Sequence, residues 1–137
     1  MASIQPYITV PDGKCREAME FYGKVFGAEP NFMTFGDSPM DIPEEMKGLI
    51  MHSDLTFGST HLMACDPRPD HQTTYGNNIS LSVDADSEDD QTQMFNDLSA
   101  GGMELMPLQD TFWGARFGMC VDKYGVTWMF NYDRPQN

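Results

Sequence analysis

The stretch Trp113–Tyr132, WGARFGMCVDKYGVTWMFNY, decides the fold. It divides into two apolar-alternating runs, Ala115–Val121 and Val126–Tyr132, around the break Asp122-Lys123-Tyr124-Gly125. Alternation with a period of two marks a strand with one face buried. Asp and Gly at the ends of such a break are hairpin chemistry, because Gly takes the positive φ that a tight turn needs. A shorter pair of runs, Leu49–Phe57 and Thr60–Asp66, flanks Gly58-Ser59 about half a chain earlier. Each pair follows one strand-like and one helix-like run, so the chain reads as one small unit built twice.

Outward from the second hairpin, Asn78–Val83 alternates Ile79, Leu81 and Val83 against Asn78, Ser80 and Ser82, which predicts a strand. Ser87-Glu88-Asp89-Asp90 resembles a capping box, with acids well placed against the helix dipole. Met94, Phe95 and Leu98 make that helix's apolar stripe, and Gly101-Gly102 ends it. Met103–Met106 follows as a strand and Pro107–Trp113 as a loop. In the first half, Gln5–Val10 reads as a strand with Ile8 and Val10 on its apolar side. Asp12 is expected to cap a helix from Lys14 to Phe26, stopped by Gly27. Its apolar residues Cys15, Ala18, Met19, Tyr22, Val25 and Phe26 recur at three- and four-residue spacing. A short strand near Phe32–Phe35 and a Gly- and Pro-containing loop from Gly36 to Gly48 precede the first hairpin. Asp66-Pro67-Arg68-Pro69-Asp70 cannot continue a ladder, because its prolines lack donors. The expectation is an α+β fold of order βαβββ, twice. It is one domain over 1–137, with modules 1–66 and 78–137 joined by a linker 67–77.

The chain has 137 residues, 40% hydrophobic and 12% aromatic, which suits one globular core. A net charge of −13 argues against nucleic acid and anionic membranes as partners, since both require positive surface. The plain reading of that acidity is a soluble surface. The three cysteines, Cys15, Cys65 and Cys120, are odd in number and widely spaced, so free thiols are expected rather than disulfides or a zinc site. No charged-then-apolar leader opens the sequence, and no apolar run reaches the roughly 20 residues of a membrane span. A cytoplasmic location is the default expectation.

Several pieces of wording carry a family resemblance. They are Cys15-Arg16-Glu17-Ala18 to Phe21-Tyr22, Val25-Phe26-Gly27-Ala28-Glu29, Leu62-Met63-Ala64 and Phe112-Trp113-Gly114-Ala115-Arg116-Phe117-Gly118, with Asp122, Gly125 and Val126-Thr127-Trp128. With the doubled βαβββ order, the chain resembles the vicinal-oxygen-chelate superfamily of glyoxalase I, bleomycin-resistance proteins and extradiol dioxygenases. In detail it is similar to the PhnB-like branch, whose members are often labelled 3-demethylubiquinone 3-methyltransferase-like. The resemblance implies two curled sheets, each a cup with a helix outside, usually paired into a homodimer.

Metal-dependent members carry four ligands, one on the first and one on the last strand of each module. The corresponding positions here are Gln5 and Asn78, then Met63 (or Ala64) and Met129. Neutral amides and thioethers suit a soft metal at best, so no divalent metal and no cofactor are expected. Strand alternation supplies the lining instead. Gln5, Tyr7 and Thr9 share one face of the first strand, and Asn78, Ser80 and Ser82 one face of the fifth. Pairing the first hairpin about its turn puts His52 and Asp54 beside His61, Met63 and Cys65. Pairing the second puts Arg116, Gly118 and Cys120 with Thr127, Met129 and Asn131. A polar, neutral-to-basic lining results, with Arg116 as the charged contact for a small polar or partly anionic ligand.

The candidate ligand-binding set is therefore Gln5, Tyr7, Asn78, Ser80, Trp113, Arg116, Met129 and Asn131. His52, Asp54 and His61 form the one local group able to do proton or metal chemistry, and His61 is the candidate general base. The plain alternative is a solvated polar face. Phe112 and Trp113 can lid a pocket or form a dimer contact. No G-x-G-x-x-G follows a strand, which leaves the methyltransferase label without support from the sequence. The functional expectation is metal-free binding of an unidentified small molecule by a homodimer. The alternative is a lyase-, isomerase- or dioxygenase-type enzyme of the glyoxalase superfamily, metal-dependent or metal-free.

Overall fold

Each half of the chain folds as strand, helix, strand, strand, strand. The computed structural model describes residues 1–135; positions 136 and 137, the end of the expected second module, lie outside the described residues. The chain divides into two units, Met1–Thr74 and Tyr75–Asn137. In the first, β1 (Tyr7–Thr9), α1 (Cys15–Phe26), β2 (Asn31–Thr34), β3 (Ile50–Phe57) and β4 (Thr60–Cys65) build a sheet of order β1-β4-β3-β2. In the second, β5 (Ser80–Asp84), α2 (Glu88–Ser99), β6 (Met103–Asp110), β7 (Ala115–Val121) and β8 (Thr127–Asp133) build the order β5-β8-β7-β6. Each sheet holds one parallel pair, β1 with β4 and β5 with β8, and is otherwise antiparallel. The α+β class of two mixed sheets with one helix each is thus the one expected.

Helix α1 buries Cys15, Ala18, Met19 and Tyr22 against β3 and β4, where Ile50, Leu55, Leu62 and Ala64 meet them. Gly27, in the left-handed region at φ 74°, ends it. The start of this helix differs from the expectation. Pro11–Gly13 forms a 3-10 turn, so the residue before the helix is Lys14, which has no acceptor to offer. The acceptor is Asp66 instead: its Oδ1 takes the Cys15 N–H at 2.9 Å and its Oδ2 the Ile50 N–H at 2.8 Å. This buried carboxylate satisfies a helix N-terminus and ties it to the sheet. Helix α2 is capped as expected: the Ser87 Oγ accepts the Asp90 N–H at 3.1 Å. Its inner face packs Phe95 and Leu98 towards β7 and β8, with a fully buried Gln91 alongside.

The first hairpin has the expected register, closed by two residues between Phe57 and Thr60. The second is shifted by one. Val121 pairs with Thr127, not Val126, and Arg116 with Tyr132, not Asn131. The cause is Asp122. Its N–H donates to the Val126 carbonyl at 2.9 Å, and its Oδ1 accepts the N–H groups of Tyr124 (2.8 Å) and Val126 (3.1 Å). Its Oδ2 accepts the indole N–H of Trp128 at 2.8 Å. The side chain thereby draws Val126 into the turn. A shift of one residue exchanges the faces of one strand relative to the other.

Strand β6 runs through Pro107 to Asp110, where a loop was expected, and only residues 111–114 turn. Pro107 is tolerated because β6 is the sheet's edge and its register slips on both sides of Met106.

Candidate functional site

Each sheet has one face under its helix and one open face, and the open faces hold the candidate residues. In the first unit, Tyr7 stands opposite Met63, and Met63 opposite Asp54; Thr9 stands opposite Cys65. His52, Asp54, His61, Met63 and Cys65 therefore share the face of Tyr7 and Thr9, as the alternation predicts. The Tyr7 hydroxyl and His52 Nδ1 are hydrogen-bonded at 3.1 Å, with their rings 5.6 Å apart. Partial burial pushes the Tyr7 phenol up to about 12, with the neighbouring Cys65 thiol adding to the rise. Thr9 Oγ1 lies 3.8 Å from Cys65 Sγ, and Asn31 Nδ2 donates to Asp54 Oδ1 at 3.1 Å. His61 Nε2 is 3.8 Å from Asp54 Oδ2, an ion-pair distance rather than a hydrogen bond.

In the second unit, Ser80, Ser82 and Asp84 of β5 stand opposite Thr127, Met129 and Asn131 of β8. Phe117 stands opposite Asn131, and Met119 opposite Met129. Trp113, in the turn before β7, leans its ring to 6.5 Å from that of Phe117. The Asn131 amide donates to Asp133 Oδ1 at 3.1 Å and to Asp84 Oδ1 at 3.4 Å.

Arg116 is not on this face. The one-residue shift turns it under α2, where its Nη1 donates to Thr92 Oγ1 (2.8 Å), Gln91 Oε1 (3.2 Å) and the Glu88 carbonyl (3.3 Å). Gly118 and Cys120 go with it, and Phe117, Met119 and Val121 take the open face. The expected neutral-to-basic lining is therefore corrected to an acidic and thioether-rich one. Among the described residues no other Lys or Arg takes the place of Arg116. Arg16 stacks over Phe32 on the helix side, and Arg134 binds Glu88 and Asp110. Lys14 precedes α1 and Lys24 lies in its last turn, Lys47 and Arg68 belong to loops, and Lys123 to the second turn. Asp84, Phe117 and Met119 were absent from the sequence-derived set. The signal that could have found them is the capacity of an Asp at a turn to bond its own backbone.

Gln5 and Asn78 lie in the exposed chain before β1 and β5, and Gln5 Nε2 donates to Ser3 Oγ at 2.8 Å. The four positions marked by the resemblance thus offer two amides on exposed chain and two thioethers on strands. That donor set does not fit a hard divalent ion. Among the described residues no three of His, Cys, Asp and Glu stand close enough to hold a metal ion. His52, Asp54 and His61 share a face, but His52 is engaged with Tyr7.

The doubled unit defines the class. A structure of a glyoxalase/bleomycin resistance protein/dioxygenase family enzyme from Burkholderia phytofirmans PsJN matches with a TM-score of 0.63, over 92% of this chain and 95% of its own, at 14% identity. This is the glyoxalase/bleomycin-resistance fold. Within it, the chain belongs to the PhnB-like family described as 3-demethylubiquinone-9 3-methyltransferase, whose profile matches residues 3–130. The protein PA1353 from Pseudomonas aeruginosa is 38% identical, with a TM-score of 0.84 over 97% of this chain and 100% of its own. A putative 3-demethylubiquinone-9 3-methyltransferase, PhnB protein, from Bacillus cereus is 28% identical, with a TM-score of 0.76 over 96% and 99%. The family description names a methyl transfer. Neither sheet here is the all-parallel kind that carries a Gly-rich dinucleotide turn.

Proposed function

We propose that the protein binds a small neutral or cationic molecule on the open faces of its sheets, without a hard divalent metal. The observation that carries this reading is the placement of Arg116 under α2, which leaves Asp54, Asp84 and Asp133 as the charged groups of those faces. Carboxylates that no described Lys or Arg faces favour positive charge and repel anions. Tyr7, His52, Phe117 and Trp113 add aromatic surface for apolar or cation–π contact. A homodimer in the cytoplasm is part of the same proposal. It is supported by exposed apolar side chains, Ile79, Met103, Leu105 and Phe112, and by three free thiols.

The test is native mass spectrometry of the protein with matched sets of small organic cations, neutral polar compounds and anions. Dimers that retain cations or neutral compounds, with retention weakened by Asp54→Asn or Asp84→Asn, are the expected result. Selective retention of anions, or indifference to both substitutions, would overturn the reading.

A further inference from the structure

Three thioethers stand abreast on the open face of the second sheet. Met106 of β6 pairs with Met119 of β7, and Met119 with Met129 of β8. Ser82 of β5 closes the row opposite Met129. Directly opposed residues share a face, with Cβ atoms about 4.5–5.5 Å apart. Three rotatable bonds let methionine sulfurs on such a row turn to a common point.

These residues are not the sheet's core. That lies on the other side, where Phe95, Leu98, Trp128 and Phe130 are buried, whereas Met106 is 37% exposed and Met119 and Met129 are half-buried. Among the described residues no Lys or Arg stands on the face to repel a cation, and Asp84 and Asp133 lie along it beside Asn131. A thioether is a soft, neutral donor that holds Cu(I) and discriminates against Mg(II), Ca(II) and Mn(II). We propose that Met106, Met119 and Met129 form a site for a soft monovalent cation, Cu(I). The site stands on the register of the second sheet alone, so it does not depend on the small-molecule reading.

The full chain with Cys65→Ser, which removes the part-exposed thiol, carries the test. Its twelve methionines are labelled at the ε-methyl with 13C and titrated with Cu(I) without oxygen. Three methyl resonances should move together and saturate at one equivalent. Met119→Leu should weaken retention of Cu(I) against a chelator by about tenfold, whereas Met33→Leu and Met40→Leu should not. If Met119→Leu does not fold, Met106→Leu on the edge strand makes the same comparison. Shifts spread over other methionines, binding without saturation, or full retention after substitution would each overturn the site. So would equal retention of Zn(II), or a face that responds only to aromatic compounds.

Discussion

The Asp122 carboxylate accepts two backbone N–H groups on Oδ1 and the Trp128 indole N–H on Oδ2. In Asp122→Asn the Oδ1 bonds survive, but the amide N–H₂ then faces the indole N–H, donor against donor. A buried donor left without its acceptor costs about 1–3 kcal/mol. We expect a lower melting temperature, partly restored by adding Trp128→Phe, which removes the orphaned indole donor. An unchanged melting temperature would show that this carboxylate does not close the loop. At this scale the sequence was partly legible. Ser87 announced its cap through the acids that follow it. Asp66 did not, because its partners Cys15 and Ile50 lie 51 and 16 residues away. Spacing rules reach only a few positions along the chain.

The elements were read well where alternation is strict and poorly where a side chain edits the turn. The first hairpin has no such side chain in its two-residue connection, and the residues placed on its open face are those found there. In the second, one extra residue inverted the faces of β7 and moved Arg116 from the proposed ligand to α2. The sequence ends this strand at Met106, whereas β6 continues through Pro107, because an edge strand with slipped register accepts a proline that a central strand would reject. The same slip brings β6 hard against Gly118. A Cβ there would lie 2.8 Å from Leu108 Cδ2 and 3.1 Å from both Leu108 N and the Met106 carbonyl. Two of those atoms are backbone and cannot swing away. Gly118→Ala should therefore cost about 1–3 kcal/mol by overpacking. Faster amide hydrogen exchange confined to β6 and β7 is the expected signature, and uniform exchange across the second unit would contradict it.

Over the whole molecule, the doubling was the most legible property, since two copies of one pattern support each other. Its chemical consequences differ between copies. Burial pushes the Cys15 thiol of the first unit up to about 12, and that of Cys120 in the second up to about 11. Groups raised in this way lend stability below their ordinary thiol range, and that stability is lost as pH climbs through the raised values. Near pH 8 a thiol reagent should modify Cys65 alone, and the other two only when denaturant opens the fold. Rapid modification of a second cysteine in the native protein would mean that one unit opens far more readily than its packing implies. The charge class of the faces was the least legible property, because it hung on a single register.

The anchoring of α1 by Asp66 also has a consequence in time. A chain emerging from the ribosome presents Cys15–Phe26 well before Asp66, so the first helix leaves the tunnel ahead of the residue that holds its start. Ser87 emerges immediately before the helix it caps. The order of synthesis and the order of anchoring are opposed in the first unit and agree in the second.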